Sequence, residues 1–221
     1  TALQMACRSR SDEVCRHLVA LGADVTAPAG TMGSALQNAC DQGHFDLGRW
    51  LIEKGADVNV QHAWSGTPLQ AACASRRGTE AAVRDFVTTL LEHGADVNAC
   101  VPSSHYGSAF QAACHRGWWA VVHTLLQRGA NVNTQGGQFG TALQALCASQ
   151  RLTAFNTLLE LLDKGADVNA QTRPDGTALQ AACTSPYLSG THRERIVKTL
   201  LDRGADVTLR GGKYGSALQG A

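Results

Sequence analysis

Residues 66–73 read GTPLQAAC, and residues 94–98 read GADVN. Both phrases return along the chain, and their return decides the architecture. The first recurs as TALQMAC, SALQNAC, TPLQAAC, SAFQAAC, TALQALC, TALQAAC and SALQGA, opening at Thr1, Ser34, Thr67, Ser108, Thr141, Thr177 and Ser216. The shortest step between copies occurs three times: Thr1 to Ser34, Ser34 to Thr67 and Ser108 to Thr141. The second phrase begins at Gly22, Gly55, Gly94, Gly129, Gly165 and Gly204. The step from Gly to the next Thr or Ser is constant, except in the longer turn from Gly94 to Ser108. The step from Thr or Ser to Gly varies more: it lengthens at Thr67–Gly94, Thr141–Gly165 and Thr177–Gly204. Extra residues therefore enter mostly between the halves of a unit, where a loop absorbs them. Self-similarity at a period of about 33 residues marks a stack of repeats, each burying its apolar face against the next.

The unit reads as helix, loop, helix, extended turn. T/S-x-x-Q is a capping box: the hydroxyl takes the N3 amide and the N3 side chain returns to the N-cap amide. All seven copies keep the Gln: Gln4, Gln37, Gln70, Gln111, Gln144, Gln180 and Gln219. Pro68 stands at the first helical position, where its missing N–H costs nothing. The small residues that follow suit a helix pressed closely against its neighbours. The second helix ends at the Gly of GAD, a good residue just past a helix C-terminus. Counting back from it, positions −8, −7, −4 and −3 are apolar and share one helical face. They read Val121, Val122, Leu125, Leu126 in one copy and Phe86, Val87, Leu90, Leu91 in another. After GADVN come Gly, Pro, Ser and short polar runs, which suit a turn or hairpin.

GTPLQAA at residues 66–72, Gly43-His44, Val121-Val122, Leu125-Leu126 and GADVN at residues 94–98 together resemble the ankyrin repeat. The likeness runs the length of the chain. It implies an all-α solenoid of helix-turn-helix units joined by short hairpin turns. One array covers residues 1–221, with repeats starting near 1, 34, 67, 108, 141 and 177 and a partial repeat from 216. Two departures stand out. Gln occupies the place where the family usually has His. The hairpin Gly, at Gly33, Gly66, Gly107, Gly140, Gly176 and Gly215, lies one residue before the Thr or Ser rather than two. This style of repeat looks most like the long ankyrin arrays of fungal multidomain proteins, often attached to a NACHT-type nucleotide-binding domain.

The eight cysteines invite a metal or disulfide reading. Six of them, Cys7, Cys40, Cys73, Cys114, Cys147 and Cys183, share one position shortly after the opening Thr or Ser. Equivalent positions in stacked helices lie about 8–10 Å apart. A disulfide needs Cα atoms within about 4.4–6.8 Å, and zinc needs four ligands at about 2.3 Å. The ladder is therefore read as buried thiols standing in for Ala. Cys15 is expected in the core and Cys100, in the lengthened turn, at the surface. So many unpaired thiols suit a reducing compartment, and an intracellular, cytoplasmic location is expected. The repeated Asp24, Asp57, Asp96, Asp167 and Asp206 read as turn residues bonding local backbone. No phosphate-loop pattern, HExxH, CxxC or GxSxG occurs. No catalytic, cofactor or metal site is expected, and no cofactor.

The surface then carries the function. The resemblance implies binding through hairpin tips and the concave face beside the first helices. Trp64, Tyr106, Phe139 and Tyr214 fall at the tips, and aromatics there are typical interface anchors; packing along the hairpin ladder is the competing role. Trp118 and Trp119 open a second helix. Two adjacent indoles cannot both face the core, so at least one is expected at the surface. Arg8, Arg10, Arg76, Arg77, His115, Arg116 and Arg151 recur just after the Cys position and form a candidate basic edge for an acidic partner segment. In the second repeat, Gly48 replaces an apolar residue at −7. Trp50 is expected to cover the gap, and Gly48→Ala to be stabilising.

The chain has 19 Lys and Arg against 18 Asp and Glu, a net charge of +1. Binding driven by charge to nucleic acid or an anionic membrane is therefore not expected. No apolar run approaches the roughly 18 residues of a membrane span. The expected function is protein–protein recognition, as a scaffold or sensor array. The alternative is a regulatory array of a larger enzyme, a NACHT-type NTPase or a hydrolase, whose catalytic domain lies elsewhere. The opening at Thr1 and the short helix from Ser216 predict a monomeric piece of a longer array, with Leu218 short of neighbours and residues 216–221 weakly packed.

Overall fold

The computed structural model describes residues 1–9, 11–28, 30–149, 155–172, 176–188, 190–211 and 215. Each unit begins by closing its own helix N-terminus. The first helices are α1 (Ala2–Arg8), α3 (Ala35–Asp41), α5 (Pro68–Ala74), α7 (Ala109–Arg116), α9 (Ala142–Cys147) and α11 (Ala178–Thr184). Their N-caps are Thr1, Ser34, Thr67, Ser108, Thr141 and Thr177, each accepting the amide of the Gln three residues on. The Gln side chain returns to the cap amide in all of these except α7. The second helices are α2 (Asp12–Ala20), α4 (Phe45–Glu53), α6 (Glu80–Glu92), α8 (Trp119–Gln127), α10 (Phe155–Asp163) and α12 (Gly190–Asp202).

GAD ends the second helices through paired bonds back into the last turn. Gly94 N–H donates to Leu91 O at 3.2 Å and Ala95 N–H to Leu90 O at 3.0 Å, and the same pair recurs from Gly22 to Gly204. The first bond bends the chain at a left-handed Gly and the second satisfies a carbonyl the helix leaves open. Positions −8, −7 and −4 form the core in the inner repeats, as in Phe86, Val87 and Leu90, all fully buried, whereas Val14 at −8 of the first repeat is exposed. Position −3 sits nearer the edge: Leu91 and Leu126 are half-buried and Leu201 is 41% exposed, while Ile52 of the second repeat is buried.

The capping Gln also joins one repeat to the next. Gln37 Nε2 donates to Val60 O at 3.2 Å and Gly66 O at 2.5 Å in the hairpin ahead. Gln70 Nε2 reaches Gly107 O, and Gln144 Nε2 reaches Ala170 O at 3.3 Å and Gly176 O at 2.5 Å. The Gly before each Thr or Ser has φ between +72° and +82°. A Cβ at Gly66, Gly140 or Gly176 would overlap the Oε1 of Gln70, Gln144 or Gln180. The shifted Gly and the Gln are therefore one device: the missing side chain leaves the space that the amide fills.

A second ladder runs through GADVN. Asp96 Oδ1 accepts the Asn98 amide at 2.9 Å, a turn bond within the phrase. Asn98 then accepts Asn131 N–H at 2.8 Å and donates to Gly129 O at 3.1 Å in the next repeat. Asn59, Asn133 and Asn169 do the same. Asn131 replaces the Asp and still accepts Asn133 N–H at 2.9 Å.

The hairpins are short antiparallel bridges, such as His62 to Gly66 and Gly136 to Gly140. In the lengthened turn they become β1 (Cys100–Val101) paired with β2 (Gly107–Ser108). All eight thiols are free. Cys7, Cys15, Cys40, Cys73, Cys114 and Cys147 are fully buried. Cys183 departs from the expected ladder burial and is half-buried. Cys100 is half-buried too, its thiol 3.6 Å from Gln135 O, because the long hairpin folds back onto its neighbour.

Two expectations fail at the second repeat. Trp50 does not cover Gly48: its ring takes the Arg16 guanidinium at 4.9 Å on the outer face. The gap is filled by Phe86 from the next repeat. A Cβ on Gly48 would lie 2.6 Å from Phe86 Cζ and 2.9 Å from Cε2. Gly48 allows close approach of Phe86, so the geometry argues against the expected gain from Ala at this position. The expectation for residues 216–221 concerns residues outside those described.

Candidate recognition groove

Helices α3 and α5 present one face to a groove of about 680 Å³, which α1 reaches only through its last residue, Arg8. Asn38 with Asp41, and Ala71 with Ala74, are three residues apart and so lie on one helical face, forming the floor. Each floor helix starts at a hairpin and ends at an interhelical loop, which gives the groove two rims. The hairpin rim carries Met32, Trp64 and Tyr106; the loop rim carries Arg76 and Arg77. Arg8 stands at the first repeat, its guanidinium 3.5 Å from Met32 Sδ.

The loop rim comes from an insertion. The third repeat is longer than the basic unit between Thr67 and Gly94. The added residues extend both the loop and α6, which has 13 residues where α4 has 9. Ser75 fastens this loop to the preceding repeat: its hydroxyl donates to Asp41 O at 3.0 Å and accepts Arg77 N–H at 3.2 Å. Arg76 and Arg77 are thereby held exposed at the groove edge.

The hairpin aromatics divide into two roles. Trp64 is 73% exposed and forms the lip. Phe139 is buried, stacked on His115 at 4.0 Å between ring centroids and on Tyr106 at 5.8 Å. His105 meets Tyr106 edge-on at 4.5 Å and lies 6.5 Å from Trp64. Tyr106, Phe139 and His115 thus fill the concave face over the fourth and fifth repeats, and the groove ends against them. Burial, then the Arg116 charge, push the His115 pKa down to about 4. His115 is therefore neutral near pH 7, and its place in the basic edge is corrected accordingly. Burial likewise lowers the His105 pKa, with Arg76 adding to the effect. The closed end of the groove is aromatic, its two imidazoles neutral, with Arg116 beside it.

Of the residues singled out in the sequence, the groove gathers Trp64, Tyr106, Arg76, Arg77 and Arg8. Arg116 is half-buried beside Tyr106 and His115. Trp118 and Trp119 lie apart from it. Trp118 is 4% exposed and Trp119 half-buried, so neither indole stands free as expected. The reason is that Trp118 occupies the N-cap, outside the helical periodicity of α8. Arg10, Arg151 and Tyr214 lie outside the described residues. Met32, Asn38, Asp41, Ser104 and His105 are groove residues that the sequence did not single out. Only the phase of the helix face could have marked Asn38 and Asp41. Among the described residues no group of His, Cys, Asp and Glu is placed to hold a metal ion, and no helix is long and apolar enough to cross a membrane.

A stack of capped helix pairs cross-linked through its turns, with an open groove over its first helices, defines a repeat recognition scaffold. The family model for ankyrin repeats, described as three copies, matches residues 3–100 and again residues 110–211. The chain belongs to the ankyrin repeat family. It is similar to the crystal structure of the human ASB11 ankyrin repeat domain, with a TM-score of 0.74 and 29% sequence identity, over 100% of this chain and 91% of that one. No curated protein matches the sequence significantly. Ankyrin repeats in general mediate protein–protein interaction and are typically non-catalytic. Solved chains that match number 510, so the fold alone does not choose a partner.

Proposed function

We propose that this chain is a recognition array that holds a protein partner in the groove over α3 and α5, as the scaffold or sensing part of a larger protein. The observation that carries the reading is the exposed Trp64 lip over a floor of small and polar side chains, in a groove of about 680 Å³. A large aromatic beside an open concave floor is the arrangement of an interface anchor. A net charge of +1 argues against nucleic acid as the partner. Eight free thiols favour a reducing, cytoplasmic setting for a monomeric array. Regulation of a NACHT-type NTPase or a hydrolase draws no support from the described residues; a GxxxxGK[ST] segment elsewhere in the same gene product is what would bring it back.

The test is proteome-scale capture by the chain, by a groove variant (Trp64→Ala with Ala74→Gln) and by an outer-face variant (Arg84→Ala on α6). Proteins retained by the chain and the outer-face variant but lost from the groove variant support the reading. The same set retained by all three overturns it.

A further inference from the structure

We infer that the groove takes an extended, acidic segment of a protein partner, its carboxylates against Arg76 and Arg77 and an apolar side chain under Trp64. This rests on the groove being the binding face and adds what it binds.

The first argument is charge. Among the described residues the ion pairs are Arg49–Asp46, Arg84–Asp85, His123–Glu160, Arg128–Glu92 and Arg203–Asp163. None involves Arg8, Arg76 or Arg77. Three guanidinium groups thus line one groove with a single carboxylate, Asp41, on its floor. Asp41 already accepts Gln42 Nε2 at 2.8 Å. Guanidinium groups without a partner carboxylate match anionic side chains in fork geometry. The Ser75 bonds hold the loop that carries Arg76 and Arg77, so part of its ordering cost is met before binding.

The second argument is shape. The floor on α3 and α5, with Arg8 at the end of α1 beside it, steps across three repeats at about 8–10 Å each, a run of about 20 Å. About six residues of extended chain, at roughly 3.3 Å each, cover that length. The floor is low because Ala71 and Ala74 are small, and Asn38, Gln42 and Ser104 offer neutral groups to peptide amides. A polyanion such as RNA is less suited, since it needs a basic surface far more extensive than three arginines on a chain of net charge +1.

The test is selection of a random linear peptide display library on the chain, on Arg76→Glu with Arg77→Glu, and on Trp64→Ala. Both arginines and Trp64 are exposed, so circular dichroism should be unchanged. The inference expects Asp- and Glu-rich peptides from the chain and loss of that enrichment on the charge-reversed variant. The selected peptides should bind the charge-reversed variant about tenfold or more weakly, and the chain less tightly as salt rises. Peptides lost on Trp64→Ala but without acidic enrichment would overturn the inference and leave the groove reading standing. No Trp64-dependent peptide at all would overturn the inference, while capture of folded proteins in the preceding experiment would still decide the groove reading. Tighter retention of a single-stranded oligonucleotide than of any selected peptide would overturn it as well.

Discussion

Gly48→Ala should destabilise the array, although a helix-interior Gly ordinarily gains from the change. Ala in place of Gly in the middle of α4 is worth about 1 kcal/mol from backbone entropy. Against this stands the added methyl, 2.6 Å from Phe86 Cζ and 2.9 Å from Cε2. Phe86 cannot give way easily. It is fully buried, stacked on Phe45 with centroids 5.0 Å apart, and has the Arg49 guanidinium 5.6 Å from its ring. Overpacking of this kind costs about 1–3 kcal/mol. Adding the helix gain to an upper-range clash leaves a net loss of about 1–2 kcal/mol. Urea unfolding of the two chains should show a lower midpoint for the variant at unchanged slope. The same change in a Phe86→Leu background should reverse sign, because the ring is gone and the helix gain remains. Stabilisation by Gly48→Ala with Phe86 intact would refute the close-approach reading.

The other expectations follow from the ladders and the buried groups. Gln70→Ala strips Thr67 N–H and Gly107 O of a buried partner and should cost about 2–4 kcal/mol in urea unfolding. Asn98→Ala removes two exposed bonds between repeats and should cost about 1 kcal/mol; Thr26→Asn, which supplies the residue missing from the first such rung, should gain a similar amount. Thiol titration of the native chain should modify Cys100 and Cys183 first and the six fully buried thiols only on unfolding, since burial raises their pKa values and leaves little thiolate to react. Lowering the pH from about 6.5 to about 4 should cost roughly 2 kcal/mol through His115. Its folded pKa of about 4 lies below the unfolded value, so the unfolded chain binds the extra proton in that window, and His115→Gln should flatten the loss.

The elements were legible because their signals are local. A Thr, a Gln three residues on and an apolar face ending in Gly specify a capped helix pair without reference to the rest of the chain. What was illegible depends on the neighbouring repeat. Gly48 reads as a defect in its own helix and becomes a seat for Phe86, which belongs to the repeat that follows. Tyr106 and Phe139 share one repeat position, yet Phe139 is the more deeply buried because His115 stacks on it. Trp118 shows how a phase argument fails at a helix start, where an N-cap residue is free of the periodicity that follows. Arg76 and Arg77 were recognisable as basic, but only the anchored insertion makes them a rim.

The two ladders also grade the stiffness of the groove. At its closed end the long hairpin is tied on both sides. Ser103 Oγ donates to Ala63 O at 3.2 Å and His105 N–H to Trp64 O at 3.4 Å; Gly137 N–H donates to Pro102 O at 3.1 Å and Gln138 N–H to His105 O at 2.8 Å. Trp64 and Tyr106 therefore sit on backbone held by its neighbours, and present a fixed shape. At the other end the Asn rung is replaced by Thr26, whose hydroxyl turns back to Asp24 Oδ1 at 2.7 Å instead of crossing to the second repeat. Arg8 and Met32 thus stand where the first repeat is joined to the second with one cross-link fewer. In a stack stabilised through nearest-neighbour interfaces, a junction short of one rung opens before those that have it. If the groove binds as proposed, rigidity at Trp64 and looseness at Arg8 would let it anchor an apolar side chain first and adjust its remaining charge contact afterwards.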